Sequence, residues 1–182
     1  PNGLLFWGPG GVGKNLAALE FAKALNCKES NFDACGLCVT CRKIDHGNHP
    51  DIRVLAPKDK SRLIKKEEID EVNEFASLRP FESQWRIFIM HDAERMNPTA
   101  QNHFLKTLEE PPPHAIFILA TTEKHKIIPT ILSRCQIFDF KRISTSDTVH
   151  HLEEICAKED IKAERAALQV IAQKSEGCMR DA

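Results

Sequence analysis

Leu4-Leu-Phe-Trp7, then Gly8-Pro-Gly-Gly-Val-Gly-Lys14-Asn15, is the stretch that decides the reading of this chain. A short apolar run of strand character enters a glycine-rich turn, and from Asn15 the pattern becomes helical, with Ala18, Phe21, Ala22 and Leu25 expected on one face. The spacing G-x-x-x-x-G-K between a strand and a helix is that of a phosphate-binding loop. Gly8, Gly10, Gly11 and Gly13 let backbone N–H groups converge on phosphate oxygens, the helix N-terminus adds its dipole, and Lys14 supplies a mobile cation. The consensus closes on Ser or Thr, whose hydroxyl ligates Mg²⁺. Asn15 stands there instead, so the loop is expected to bind ATP weakly and to hold Mg²⁺ poorly.

Outward from the loop, apolar runs alternate with helical patterns. Further strands are expected at Ile52 to Leu55, Arg86 to Met90, Ala115 to Ala120 and Gln136 to Phe140. Between them lie a charged helix carrying Ile69, Val72, Phe75 and Ala76 inward, and a helix opened by Pro98 and stopped by Pro111 to Pro113. That alternation predicts an α/β fold with a five-stranded parallel sheet. Past Lys141 only helical stripes remain: Val149, Leu152 and Cys156, then Leu168, Ile171 and Ala172. The expected division is a core over 1–142 and a small helical domain over 143–182, with Ser144 or Ser146 capping its first helix.

The 182 residues carry 25 Lys+Arg against 26 Asp+Glu, a formal net charge of -1. That balance excludes a generally basic nucleic-acid coat, and the short apolar runs argue against a membrane span. Seven cysteines, an odd number, cannot all pair, and the expectation is a cytoplasmic protein in a reducing compartment. Cys27, Cys35, Cys38 and Cys41 read C-x7-C-x2-C-x2-C. This spacing predicts a structural zinc site over about 27–41, closed by four thiolates, with His46 and His49 as lesser ligand candidates. The chain opens at Pro1 without Met and stops just after Arg180, which reads as a fragment.

A strand ending in acidic residues is the usual second half of a nucleotide site. Here Arg86-Ile-Phe-Ile-Met90 runs into His91-Asp92-Ala93-Glu94. If the strand stops at Met90, His91 takes the place of the metal-binding Asp and Asp92 that of the water-polarising Glu. A slip of one residue puts Asp92 at the metal.

Lys106-Thr-Leu-Glu-Glu-Pro-Pro-Pro113, Leu119-Ala-Thr-Thr122 and Ser133-Arg-Cys135 follow the loop in an order that resembles bacterial clamp-loader subunits, the AAA+ components of DNA polymerase III holoenzyme. The resemblance implies an AAA+ core with a zinc-knuckle insert, a helical lid, and a collar domain lying outside this chain. It implies an arginine finger at Arg134, a first sensor at Thr122 with Thr121 as competitor, and a second sensor at Arg180. It also implies partners: the other subunits of a hetero-pentamer, and through that assembly the sliding clamp and primed DNA. Gly47-Asn-His-Pro-Asp51 and His91-Asp-Ala-Glu-Arg-Met96 look like the δ′ type, with ATP hydrolysis lost. The alternative is a γ/τ-type ATP-hydrolysing motor, to whose lid Glu176-Gly-Cys-Met-Arg180 is similar.

Overall fold

The computed structural model describes residues 2–30, 32–57 and 63–182. Strands β1 (Gly3–Trp7), β2 (Ile52–Leu55), β3 (Arg86–Met90), β4 (Ala115–Thr121) and β5 (Cys135–Asp139) form one parallel sheet in the order β2-β3-β4-β1-β5. Register is continuous through its centre: Leu5 lies opposite Leu119, and Phe88 opposite Phe117. All five residues of β3 are buried, as expected for a strand covered on both faces. β5 begins one residue earlier than its apolar pattern suggested.

The chain divides into two compact units. The first comprises Pro1–Trp7 and Asn15–Phe138. Its helices are α1 (Lys14–Asn26), α2 (Val39–Asp45), α3 (Lys66–Ser77), α4 (Pro98–Glu109) and the single turn α5 (Pro129–Leu132). The helix α3 buries Ile69, Val72, Phe75 and Ala76, the stripe read from its period. The N-terminus of α4 is fixed by Asn97, whose side chain accepts from Ala100 N, with Pro98 in the first turn. Phe104 of α4 meets Phe117 of β4 edge to face at 5.4 Å, in a core shared with Leu5, Phe88 and Met90. In α1 one expected core position fails. Ala18 and Ala22 of α1 are fully buried, but Phe21 is 38% exposed, so the inward stripe is narrower than the sequence pattern.

The second unit comprises Gly8–Lys14 and Asp139–Ala182. Here Ser144 caps α6 (Thr145–Lys158) by accepting from Asp147 N at 3.1 Å. Val149 of α6 packs with Leu168 and Ala172 of α7 (Arg165–Lys174), while Ile171 is 40% exposed. Among the described residues no helix is long and apolar enough to cross a membrane.

Candidate nucleotide site, arginine and cysteine cluster

Within the second unit the glycine loop lies against the segment 178–180. A Cβ on Gly8 would fall 2.2 Å from the Phe140 carbonyl oxygen. Gly11, at φ +72°, would place one 1.9 Å from Cys178 Sγ, and Met179 N donates to the Gly11 carbonyl at 3.1 Å. The backbone of Phe140 therefore excludes a side chain at Gly8, and at Gly11 one would have to displace Cys178 Sγ from a left-handed backbone position. Gly10 and Gly13 have open space where a Cβ would project. Lys14 is 8% exposed and turns onto its own loop, its Nζ donating to Gly8 O at 2.8 Å and Pro9 O at 2.5 Å. Gly10 also lines a cleft of about 290 Å³ with Arg142, Lys174, Glu176, Cys178 and Arg180. Arg180 is exposed, its Nε 3.6 Å from Asp181.

In the first unit Asn15 is exposed in the first turn of α1. β3 stops at Met90, so His91 directly follows it and Asp92 comes next, in the left-handed region at φ 49°. His91 Nε2 is buried without a hydrogen-bond partner. Burial holds the His91 pKa below its ordinary value, against the pull of Asp92, so the ring is neutral at neutral pH. Asp92 is half-buried, 3.6 Å from Arg95 Nε. At the end of β4, Thr121 is buried and Thr122 exposed. Both hydroxyls donate to one carboxylate, Glu94, at 2.7 and 3.0 Å. Sequence reading gave Glu94 no role, because its partners lie 27 and 28 residues away. Arg134, between α5 and β5, donates to Glu109 Oε1 at 2.7 Å and to Thr130 O at 3.0 Å.

The four cysteines converge. Their sulfur atoms all lie within 4.8 Å of one another, and Cys35 Sγ is 4.0 Å from Cys41 Sγ. Tetrahedral Zn–S bonds of about 2.3 Å require sulfur separations of about 3.8 Å, so the donor set fits a closed zinc site. Local backbone builds the knuckle. Cys27 follows the end of α1, Gly36 turns the chain at φ +69°, and Cys38 caps α2. The N–H groups of Cys38 and Cys41 donate to Cys35 Sγ and Cys38 Sγ at 3.3 and 3.4 Å. The bond from Cys41 N draws the Cys38 pKa down to about 6, whereas burial pushes Cys41 up to about 12. A metal cation in the cluster relieves that contest by stabilising every thiolate at once. The histidines are engaged elsewhere. His46 Nδ1 is 2.6 Å from Arg42 O, and His49 Nε2 is 3.1 Å from Ser83 Oγ.

Residues 1–144 match the family described as DNA polymerase III, delta subunit, and residues 147–182 match the DNA polymerase III clamp loader subunit, ATPase lid domain. This chain belongs to the DNA polymerase III clamp-loader subunit family. Among curated proteins, this clamp-loader chain is 40% identical over 98% of its length to the tau subunit of Bacillus subtilis, spanning 31% of that protein. It is 37% identical over 98% of its length to the tau subunit of Escherichia coli, spanning 27% of it. It therefore covers about a third or less of these relatives. Among solved structures, a DNA polymerase III gamma subunit-related protein of Thermotoga maritima aligns at TM-score 0.60 and 22% identity, over 97% of this chain and 54% of that one. The Thermotoga maritima RuvB Holliday junction branch migration motor aligns at TM-score 0.65 and 17% identity, over 99% of this chain and 51% of that one. These likenesses establish the fold: an AAA+ parallel sheet followed by a helical lid.

Proposed function

We propose that this chain is the part of a clamp-loader subunit that keeps a nucleotide-binding loop without turning nucleotide over, the δ′-type role, and that it acts on a neighbouring subunit through Arg134. The observation that supports the reading is the end of β3 at Met90, directly followed by His91, which we read as standing in the place of a metal-binding carboxylate. Asn15 stands where the loop's hydroxyl belongs. Mg²⁺ demands hard oxygen ligands in near-octahedral geometry. A neutral imidazole is a poor ligand for it, and the Asn15 amide oxygen, although a hard donor, cannot reproduce the short hydroxyl geometry that the tight octahedral ion requires.

The remaining parts have a division of labour. Lys14 leaves the carbonyls of Gly8 and Pro9 to meet a phosphate, which replaces two neutral acceptors by an anion. Gly10 and Gly13 keep their backbone N–H groups approachable, and Arg180 adds charge from the lid. Thr122, exposed where Thr121 is buried and saturated, is the hydroxyl able to meet a γ-phosphate. Arg134 releases Glu109 to reach the nucleotide of the adjacent subunit and stabilise charge developing there. The cysteine cluster holds zinc and ties the end of α1 to α2. The assembly, in the cytoplasm, contacts the sliding clamp and the backbone of primed DNA collectively.

A second reading, a γ/τ-type motor, is favoured by one observation: curated relatives 34 to 40% identical to this chain are gamma or tau subunits. Steady-state ATP hydrolysis by the purified full-length protein with Mg²⁺ separates the two. The non-hydrolysing reading expects no turnover above background. Turnover abolished by Lys14→Ala would overturn it in favour of the motor.

A further inference from the structure

We propose that Glu94 is a positioning residue that competes with nucleotide for the Thr122 hydroxyl and thereby sets how strongly this site prefers a triphosphate over a diphosphate. The inference rests on the reading of Thr122 as the γ-phosphate contact, and deepens it. Glu94 belongs to a short 3-10 turn, Ala93–Arg95, that follows β3. The turn is anchored by fully buried Ala93 and by bonds from Arg95 N to Asp92 O and from Met96 N to Ala93 O. The Glu94 carboxylate is therefore delivered to the end of β4 by packed backbone, and its two oxygens divide between the two threonines.

Those threonines differ. Thr121 is 1% exposed, donates to Glu94 Oε2 at 2.7 Å and accepts from Glu123 N at 3.0 Å, so its hydroxyl is used in both directions. Thr122 is exposed and donates to Glu94 Oε1 at the longer 3.0 Å. A hydroxyl has one proton. While Thr122 gives it to Glu94, the oxygen presents only lone pairs to an approaching phosphate. The carboxylate adds like-charge repulsion at the point where a γ-phosphate would arrive. A diphosphate lacks that group and meets neither obstacle, so the penalty falls on the triphosphate alone.

The test is a double-substitution cycle read by calorimetric dissociation constants for ATP and ADP, on the full-length protein without added metal. Glu94→Ala is expected to raise the ATP-over-ADP preference about tenfold, the worth of one hydrogen bond to a charged group. Glu94→Gln, which keeps the shape of the side chain, should give a smaller rise, because a neutral amide oxygen is a weaker acceptor. Thr122→Val should change little in the native background and remove the gain in the Glu94→Ala background. If Glu94→Ala gives no rise although Thr122→Val lowers the preference, Thr122 senses the phosphate and the competition is refuted alone. If neither substitution moves the preference, or no variant binds nucleotide, the sensor reading falls and the proposal falls with it.

Discussion

Replacing Asp51 by alanine strands a buried guanidinium. Asp51 is fully buried and its two oxygens take four bonds: Phe81 N at 2.6 Å and Arg86 Nη2 at 3.0 Å on one, Glu82 N at 2.8 Å and Ser83 N at 3.0 Å on the other. Arg86, 6% exposed, has other contacts, donating to Phe75 O and lying 4.5 Å over the Phe75 ring, but none of them carries a negative charge. Breaking a buried ion pair by removing one partner costs about 3–5 kcal/mol. The N–H groups of residues 81–83 add less, because Phe81 is 81% exposed and water can reach that loop. At about 2–4 °C per kcal/mol for a chain of this size, the melting temperature should drop by roughly 10 °C. Urea unfolding at neutral pH with zinc held constant gives the free energy. Arg86→Met in the Asp51→Ala background should restore part of the loss, since it removes the stranded charge. A loss below about 1 kcal/mol for Asp51→Ala, or no recovery in the double variant, would refute the reasoning.

The same node sets the response to acid. Burial alone would raise the Asp51 pKa, but the N–H groups of Glu82, Phe81 and Ser83 and the Arg86 guanidinium outweigh it and hold it below the ordinary carboxylate range. Burial likewise depresses His49 against the pull of Glu82 and Asp51. In both cases, and for His91, whose pKa burial also holds down, the unfolded chain binds protons more readily, so stability should fall first below about pH 6.5, through His49 and His91, and again below about pH 4, through Asp51. His49→Gln should remove the His49 share of the upper limb in urea titrations taken across that range, leaving the share of His91. Cys38→Ser is expected to lower the zinc content of purified protein and to make unfolding insensitive to a chelator; unchanged zinc on metal analysis would reject the four-cysteine set. Gly11→Ala should cost about 1–3 kcal/mol in thermal or urea unfolding, because the new Cβ meets Cys178 Sγ in a backbone conformation that L side chains resist. Arg134→Ala should leave this subunit's own ATP affinity unchanged while lowering hydrolysis by the reconstituted complex at least a hundredfold.

The fold was legible where one local pattern sufficed. Arg86 to Met90 is an uninterrupted apolar strand after its first residue, and a run so bounded leaves little but a buried strand. The G-x-x-x-x-G-K spacing and the cysteine spacing are likewise local. Phe21 misled because a helical stripe read by period has no fixed width, and α1 buries only the narrow side that carries Ala18 and Ala22. What stayed hidden was long-range. Gly47 to Asp51 stood out in the sequence as a motif without a mechanism. Its physical content is His49 and Asp51 holding the loop before β3, through partners 30 to 35 residues away that no periodicity announces.

The same limit shaped the reading of the chemistry. Leu108-Glu-Glu-Pro111 and Ser133-Arg-Cys135 stood in the sequence as separate signatures, the first without a role and the second supplying the arginine finger. In the folded chain they meet, because α4 ends where α5 hands over to β5, and Glu109 takes the Arg134 guanidinium at 2.7 Å. Lys14 is similarly held by Gly8 and Pro9, and Thr122 by Glu94. Each group assigned to phosphate in these three cases therefore already has an acceptor inside the protein. Engagement of phosphate is then an exchange of partners, and its free energy is the difference between the two rather than the full strength of the new contact. Substituting a side-chain acceptor, Glu94 or Glu109, should consequently strengthen phosphate engagement while substituting the cation or hydroxyl weakens it, a sign pattern that a rigid preformed site would not give.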